Sequence, residues 1–563
     1  MHGTQATINQ TLAAAVTHHR AGRLDDAERI YRQVLAVVPN QPHALYLLGT
    51  LKGQRGQSDA AVELIGRAIS LAPERALYHS NLGECLRMAG KPGPAVAACQ
   101  RAIAIQPGLV MAHNNLGSAL RDHGRLDEAA AAYLGALRLG PDCVPAHTNL
   151  ANVRQDQGRI DEAMRLYQSA LRLAPNSPEA HCNLGSALRG VGRQDEAIAE
   201  YRCTIRLKAG HFEAWNNLGV ALVDRTEFTE ALSAYRKAIA LKSDYAEAHQ
   251  NLALSLLSVG DYQAGFLESE WRWQCKGRPR PRRLPGSRWE GEPLHGRTIM
   301  LYAEEGLGDA LQFVRFAPLV AALGGPVVLE CQPELLRLLQ RQGLPGVCQV
   351  IGAGKPIPPV DLHCPLMSAP LCMGTTLDSI PDQAALLAAD AELVDAWRSK
   401  IGPGDGRLQV GLCWAGNPAQ ANDRNRSMHP RHLAALADVP GVRFHDLQKV
   451  KSADPDRLPP PALQLEDHTA DLADMADTSA LIAHLDLVIT VDTSVAHLAG
   501  AMGKEVWVLL AFCPDWRYFP AGPVNRWYPA MRQFRQPRQG DWRGVMAMVS
   551  EALEARAGGQ SDR

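Results

Sequence analysis

Along the first half of the chain, apolar residues recur at helical spacing in short blocks, and the blocks repeat every 34 residues. Ala27, Ala61, Ala95, Ala129, Ala163, Ala197 and Ala231 hold one register of this pattern. Gly22, Gly56, Gly90, Gly124, Gly158, Gly192 and Gly260 hold a second, with Thr226 in the one gap. Pro39, Pro73, Pro107, Pro141 and Pro175 hold a third, before Ala209 and Ser243 take that position. Each unit therefore reads helix, Gly turn, helix, Pro stop. Gly permits the tight turn, Ala allows close helix approach, and Pro ends the second helix. One such hairpin leaves an apolar face uncovered, so the units are expected to stack into an α-solenoid. Past the Pro- and Arg-rich stretch 276–288 the period changes. Runs rich in β-branched residues at 299–303, 327–331, 410–414, 442–447, 485–490 and 506–512 alternate with helical patterns. The helices are expected from about Asp309, near 333–342, over 391–401 and from about Gly544. Such alternation predicts βα units on parallel sheets, here in two lobes with a cleft at the carboxyl ends of the strands.

The repeated positions resemble the tetratricopeptide repeat over about residues 8–265. Within that frame Asn81, Asn115, Asn149, Asn183, Asn217 and Asn251 recur inside N-L-G or N-L-A, each preceded two residues earlier by His79, His113, His147, His181, Trp215 and His249. Two readings of the Asn column stand side by side. Either each amide bonds within the repeats, or the amides form a ladder that meets the backbone N–H and C=O of an extended peptide. The N-L-G units are similar to those of the O-linked N-acetylglucosamine transferases, which implies an acceptor polypeptide in the groove. The His column reads as packing rather than metal ligation, because adjacent copies lack the short spacing of a metal site.

Composition separates the halves further. Of ten Trp, nine lie after position 270, as do 27 of 37 Pro, so an Ala/Leu-built repeat precedes a region with aromatic loops. Lys+Arg number 58 against 59 Asp+Glu, a net charge of −1, which gives no basic excess for nucleic-acid or anionic-membrane binding. A membrane span is not expected, since no apolar run reaches the ~20 residues required. The twelve Cys contain no C-x-x-C pair, so they read as structural thiols of a cytoplasmic protein, and the start of the chain lacks the pattern of a signal peptide. The stretch 276–288 reads as a semi-extended linker, either contacting phosphate or lying on an acidic face.

Three motifs carry candidate chemistry. In EEGLGD (304–309), Gly306 and Gly308 allow a tight loop and Asp309 falls at the expected helix start, where it would serve equally as an N-cap. In VDTSVAHLAGAMGK (491–504) a strand runs into a helix opening at Thr493–Ser494, whose N–H groups and hydroxyls suit a diphosphate, with His497 one turn on. In the polar loop 414–427, Arg424 and Arg426 offer guanidinium forks for phosphate, or are surface arginines. IGAGKP (351–356) lacks the spacing of a phosphate loop, Asp454-Pro-Asp456 reads as a loop, and His429 and His432 have no evident third ligand, so no metal site is expected.

The G-L-G-D at 306–309 and the D-T-S-x-x-H-L-A at 492–499 resemble the bacterial heptosyltransferase-like glycosyltransferases over about residues 298–540. The whole chain resembles a bacterial group of tetratricopeptide proteins carrying such a domain. The resemblance implies a GT-B-type pair of Rossmann-like lobes and no cofactor or metal. It also implies inverting transfer of a hexosyl or heptosyl group from a nucleotide sugar to a protein or peptide held by the repeats. It assigns Asp309 as general base, and Asp492, Thr493, Ser494 and His497, with Arg424 or Arg426, to the donor. In the tail, Trp516, Arg517, Trp527 and Tyr528 either line the donor pocket or pack as an aromatic core. Ser494 stands where that family has Gly, and its second-lobe Lys has no clean match. These departures motivate the alternative, a non-catalytic scaffold with a degenerate transferase domain that binds partner proteins. The expected organisation is a solenoid over 8–265, a linker over 266–297, lobes over 298–400 and 405–540, and a C-terminal helix over 541–557.

Overall fold

The computed structural model describes residues 2–278, 281–381, 385–420, 422–449, 455–519 and 525–559, with side chains from residue 8. The chain divides into two compact units, Met1–Ala221 and Leu222–Arg563. The first is all helical. After His2–Arg20, second helices of the repeat (Leu24–Val37, Ser58–Leu71, Pro92–Ile105, Leu126–Leu139, Ile160–Leu173, Gln194–Leu207) alternate with first helices (Pro42–Gln54, Ala76–Met88, Val110–Asp122, Val144–Asp156, Pro178–Gly190).

The Gly register does what its chemistry requires. Gly22 through Gly192 all adopt φ between +71° and +82°, the left-handed turn that a Cβ disfavours. Thr226 takes the same conformation, with φ of 63°. A second glycine set works by close approach instead. A Cβ on the N-L-G glycine would lie 2.3 Å from Cys99 at Gly83, 2.6 Å from Tyr133 at Gly117 and 2.8 Å from Tyr201 at Gly185, and at Gly49, the L-L-G glycine of the same register, 2.6 Å from Ile65. The residue sixteen positions on, in the second helix, thus fills the space a side chain would take. Tyr31, Tyr133, Tyr167 and Tyr201 are almost wholly buried in that column.

The second unit holds the end of the repeat array, with helices Phe228–Leu241, Ala246–Ser258 and Tyr262–Ser269, and two parallel sheets. The strands are β1 (Ser287–Arg288), β2 (Ile299–Tyr302), β3 (Val327–Cys331), β4 (Val347–Gly352), β5 (Leu362–Pro365), β6 (Leu408–Cys413), β7 (Val442–Asp446), β8 (Glu466–Asp467), β9 (Leu487–Val491), β10 (Val506–Leu510) and β11 (Met531–Arg535). The first sheet has the order β1-β5-β2-β3-β4 and the second β11-β10-β9-β6-β7-β8. Helix Leu307–Phe313 follows β2, helix Ser494–Ala501 follows β9, and both start at the carboxyl ends of their strands. The C-terminal helix is Trp542–Ala557, capped by Asp541 and so starting two residues before the expected Gly544.

The repeat end and the sheets share one core. Leu257, Tyr262 and Phe266 from the last repeat pack with Phe313, Trp516 and Trp527 in the same buried cluster as the central strands. Trp527 Nε1 donates to the Tyr262 hydroxyl at 3.0 Å, which satisfies two polar groups inside that cluster. Burial of each such ring is worth roughly 1.5–3 kcal/mol. The basic stretch after the repeats lies on acids: Arg278 pairs with Glu305, Arg288 with Glu270, and Arg282 with the buried Glu330 at 2.6 Å. Among the described residues no helix is long and apolar enough to cross a membrane.

The two kinds of glycine make opposite predictions. Gly117→Ala drives a methyl into the Tyr133 ring and should destabilise the first unit by about 1–3 kcal/mol. Gly66, inside helix Ser58–Leu71, has open space at its Cβ, so Gly66→Ala should stabilise by about 0.4–1 kcal/mol. Urea denaturation followed by circular dichroism reads both, and equal shifts for the two would contradict the packing argument.

Candidate functional site

The repeat columns resolve first. His79, His113, His147 and His181 each place Nε2 2.8–2.9 Å from the carbonyl of Pro73, Pro107, Pro141 and Pro175, six residues back. His249 does the same to Ser243 at 3.0 Å. At the position where Trp215 replaces His, indole Nε1–H donates to the Ala209 carbonyl at 3.0 Å. Indole is a donor only, so the column's shared task is to donate an N–H to the turn that closes the preceding helix. That is the packing role, with a hydrogen on Nε2, and in His181 and His249 the other ring nitrogen faces the Glu200 and Glu268 carboxylates.

The Asn amides lie on the first helices and are half-buried, apart from the buried Asn115. Each of five donates an N–H to the preceding repeat. Asn81 bonds the Tyr46 hydroxyl at 2.7 Å, Asn115 the Ser80 hydroxyl at 3.2 Å, Asn149 the side-chain oxygen Oδ1 of Asn114 at 3.1 Å and Asn183 that of Asn152 at 3.1 Å. Asn217 approaches the Cys182 sulfur at 3.9 Å. The column therefore ties successive repeats together along the same line that the ladder reading places a peptide.

In the second unit, Asp309 is not the N-cap. Gly306 holds that position, and Asp309 sits at the third helical residue with Oδ2 accepting the Gly306 N–H at 3.0 Å. Its other oxygen accepts from Arg517, whose guanidinium also bonds Gln312 and, at 2.8 Å, Asp515. Burial opposes the charge on Arg517, but Asp515, Asp309 and Asp492 outweigh it and raise its pKa. Helix Ser494–Ala501 does begin where expected, with Thr493 as N-cap. The Thr493 hydroxyl lies 3.0 Å from that of Thr490, and Ser494 is half-buried at the first helical position. Asp492 Oδ1 accepts the Tyr518 hydroxyl at 2.9 Å. Burial, then the nearby Asp515, pushes the Asp492 carboxyl up to about 6. Arg426 donates to the Asp492 carbonyl at 3.1 Å and pairs with Asp423 at 3.3 Å, whereas Arg424 is exposed. His497 Nδ1 lies 3.1 Å from the Tyr528 hydroxyl, and burial, then Arg517, Arg315 and Arg426, holds the imidazole neutral.

The two helix starts touch. A Cβ on Gly308 would lie 2.8 Å from His497 Cδ2, so the imidazole occupies the space beside the G-L-G-D turn. Trp516, Trp527 and Tyr528 are buried core residues, so the packing alternative describes them. Sequence reasoning missed Gln312 and Arg315, which bridge this network to the tail, and Glu304, buried against Arg272 at 3.0 Å. Burial raises Glu304 to about 7 against the pull of Arg272. Of the Asp-Pro-Asp pattern, Asp454 lies outside the described residues. Among the described residues one group of donors has metal-type spacing, His445, Glu466 and His468.

Comparison with known proteins bears on the repeats. Two tetratricopeptide-repeat models match, one at residues 12–51, 46–110 and 109–144, the other at 151–192 and 221–260. Protein FlbA of Caulobacter vibrioides is 30% identical over 329 residues, covering 53% of this chain and 53% of FlbA. The chain thus spans about half the length of that curated relative. Two solved structures are similar in part. YrrB, a TPR protein with an unusual peptide-binding site, has 24% identity and a TM-score of 0.28 over 33% of this chain and 96% of its own. TTC0263, a thermophilic TPR protein of Thermus thermophilus, has 24% identity and a TM-score of 0.30 over 32% of this chain and 99% of its own. Residues 12–260 form a tetratricopeptide α-solenoid, and the remainder is α/β with two parallel sheets.

These findings overturn the glycosyltransferase expectation. The matching family models are repeat models, and the curated relative FlbA carries no transferase name. The side chains supply a physical reason. Each Asp309 oxygen accepts a hydrogen bond, one from the Gly306 N–H and one from a guanidinium, which gives the carboxylate a structural role in closing its helix start and neutralising Arg517. The turn that would face a donor is filled by His497. Inverting transfer, the nucleotide-sugar partner, and the base and donor roles assigned to Asp309, Asp492, Thr493, Ser494, His497, Arg424 and Arg426 all rested on that reading.

Asp492 gives a signed prediction. Its folded pKa, about 6, lies above the ordinary value near 4, so the folded state binds more protons between those limits and loses stability as pH rises through them. Asp492→Asn removes this dependence. The variant should gain on the wild type by about 2 kcal/mol more at pH 7 than at pH 4, as measured by thermal and urea unfolding. A pH-independent difference would contradict the assignment.

Proposed function

We propose that this protein is a non-catalytic tetratricopeptide scaffold that holds a polypeptide along the face bearing Asn81, Asn115, Asn149, Asn183 and Asn217. The observation that carries the reading is the placement of the amides. They sit on the first helix of successive repeats in one register, half-buried for the most part, and Asn251 repeats that placement on helix Ala246–Ser258. The bond between repeats uses one N–H of each of five amides, and a side-chain amide can make up to four hydrogen bonds. An extended polypeptide presents backbone N–H and C=O groups at a regular rise, which such a column meets with little regard for side chains.

For residues 298–540 the two parallel sheets support a GT-B-type pair of Rossmann-like lobes, kept as a packed body rather than as a transfer site. We divide the chain into the solenoid at 8–265, the connecting stretch at 266–297, the lobes at 298–400 and 405–540, and the closing helix at 541–557. The twelve free thiols support a reducing, cytoplasmic setting.

The test is an array of short synthetic peptides probed with the full chain. The wild type should retain many peptides of differing side chains. The Asn149→Ala, Asn183→Ala, Asn217→Ala triple variant should bind them about 100-fold more weakly, at ~1 kcal/mol per lost hydrogen bond. If the amides only tie the repeats together, the triple variant will melt at a lower temperature yet bind equally while folded. That result would sink the proposal.

A further inference from the structure

The second sheet brings three metal-type donors together apart from the residues discussed above. In β7 and β8 the parallel register sets His445 opposite Glu466. His468, two residues past Glu466, returns to the same side of the backbone. His445 Nδ1 is 3.8 Å from Glu466 Oε2, and His468 Nε2 is 3.7 Å from the same oxygen. One donor atom from each residue lies within 4.8 Å of the others. His445 is fully buried, and neither His445 Nδ1 nor His468 Nε2 has a hydrogen-bond partner.

The surroundings fix which nitrogen carries the hydrogen. Gln409 donates its amide N–H to the Arg407 carbonyl at 2.8 Å, so its Oε1 faces His445 Nε2, 2.9 Å away, as an acceptor. His445 Nε2 is therefore protonated, and Nδ1 turns a lone pair toward the Glu466 carboxylate. Two lone-pair atoms facing each other at this partly buried place are unfavourable unless a proton or a metal cation lies between them. Arg443 grips Glu466 from its other side, with one amino group 2.8 Å from Oε2, and also bonds the Ile401 carbonyl at 2.9 Å. This guanidinium competes for the carboxylate, but it also holds the carboxylate in place.

We propose that His445, Glu466 and His468 bind a divalent transition ion of the zinc class, with Gln409 orienting His445. Two imidazole nitrogens and one carboxylate oxygen form a borderline donor set that suits zinc, cobalt, nickel or copper. Magnesium and calcium prefer oxygen alone. Tetrahedral bonds of ~2.0–2.1 Å put ligand atoms about 3.3 Å apart, so the oxygen–nitrogen pairs close by a few tenths of an ångström. The partly exposed His468 is the arm that swings in to complete the set. A fourth position is left to water. The ion would clip the two-residue strand β8 to the edge of its sheet.

Untagged full-length protein stripped with a chelator should take up one Zn2+ per chain in competition with a chromogenic chelator. Co2+ in its place should give the visible absorption of a tetrahedral site. Gln409→Leu should weaken binding by about 10–100-fold, and His468→Gln by at least that much, while the circular dichroism of both stays that of the wild type. His468→Gln changes a partly exposed side chain, so its folding is the safer comparison. Wild-type protein that takes up no ion, or a folded His468→Gln variant that binds as tightly, would overturn the site.

Discussion

A pair of short antiparallel helices cannot cover its own apolar face, and this constraint organises the repeat half of the molecule. The answer is stacking at a fixed step. A glycine at one register of the first helix lets the second helix press an Ile, Cys or Tyr side chain onto it, and the left-handed glycine turns the chain in one residue. Imidazole N–H groups then close the turn after each repeat, and amide N–H groups reach back one repeat. The packing and turn contacts recur at fixed offsets, and the amides reach back 35 residues except Asn183, which reaches back 31, so one 34-residue period specifies helix packing, turn and inter-repeat bonding together.

The α/β part obeys a different constraint, the satisfaction of buried charge. Arg517 is buried, and it is tolerated because Asp309, Asp515 and Gln312 surround it. Residues whose types suggest catalysis are consumed by this network. Asp309 closes its own helix start and neutralises a guanidinium, Asp492 accepts from Tyr518, and His497 fills the space beside Gly308. Aromatic residues from the last repeat enter the same core, so the end of the repeat array and the sheets are stabilised as one body.

Much of this was legible in the sequence for a simple reason: repetition and β-branched runs are local signals. The runs at 327–331 and 506–512 became β3 and β10, and the turn glycines fell where their register put them. Strands with weaker local signals were missed. β8 has two residues, β4 is largely half-exposed, and β11 carries Arg, Gln and Arg among two apolar positions. Site chemistry was harder to read, because it depends on pairs distant in sequence. Asp309 and Arg517 are 208 positions apart, and His445 meets Glu466 only through strand register. A motif such as G-L-G-D shows which residue types are present, but not that a tail arginine already holds the aspartate.

The central claim is that the repeats bind polypeptide and that the α/β part does not transfer sugar. Hydrogen exchange on the full chain, with and without a peptide retained from the array, tests it most directly. The account predicts slowed exchange in the first helices Val144–Asp156 and Pro178–Gly190, with exchange around 304–309 and 492–497 unchanged by nucleotide sugars. Protection of 304–309 and 492–497 by a nucleotide sugar, with those repeat helices unaffected by peptide, would contradict it.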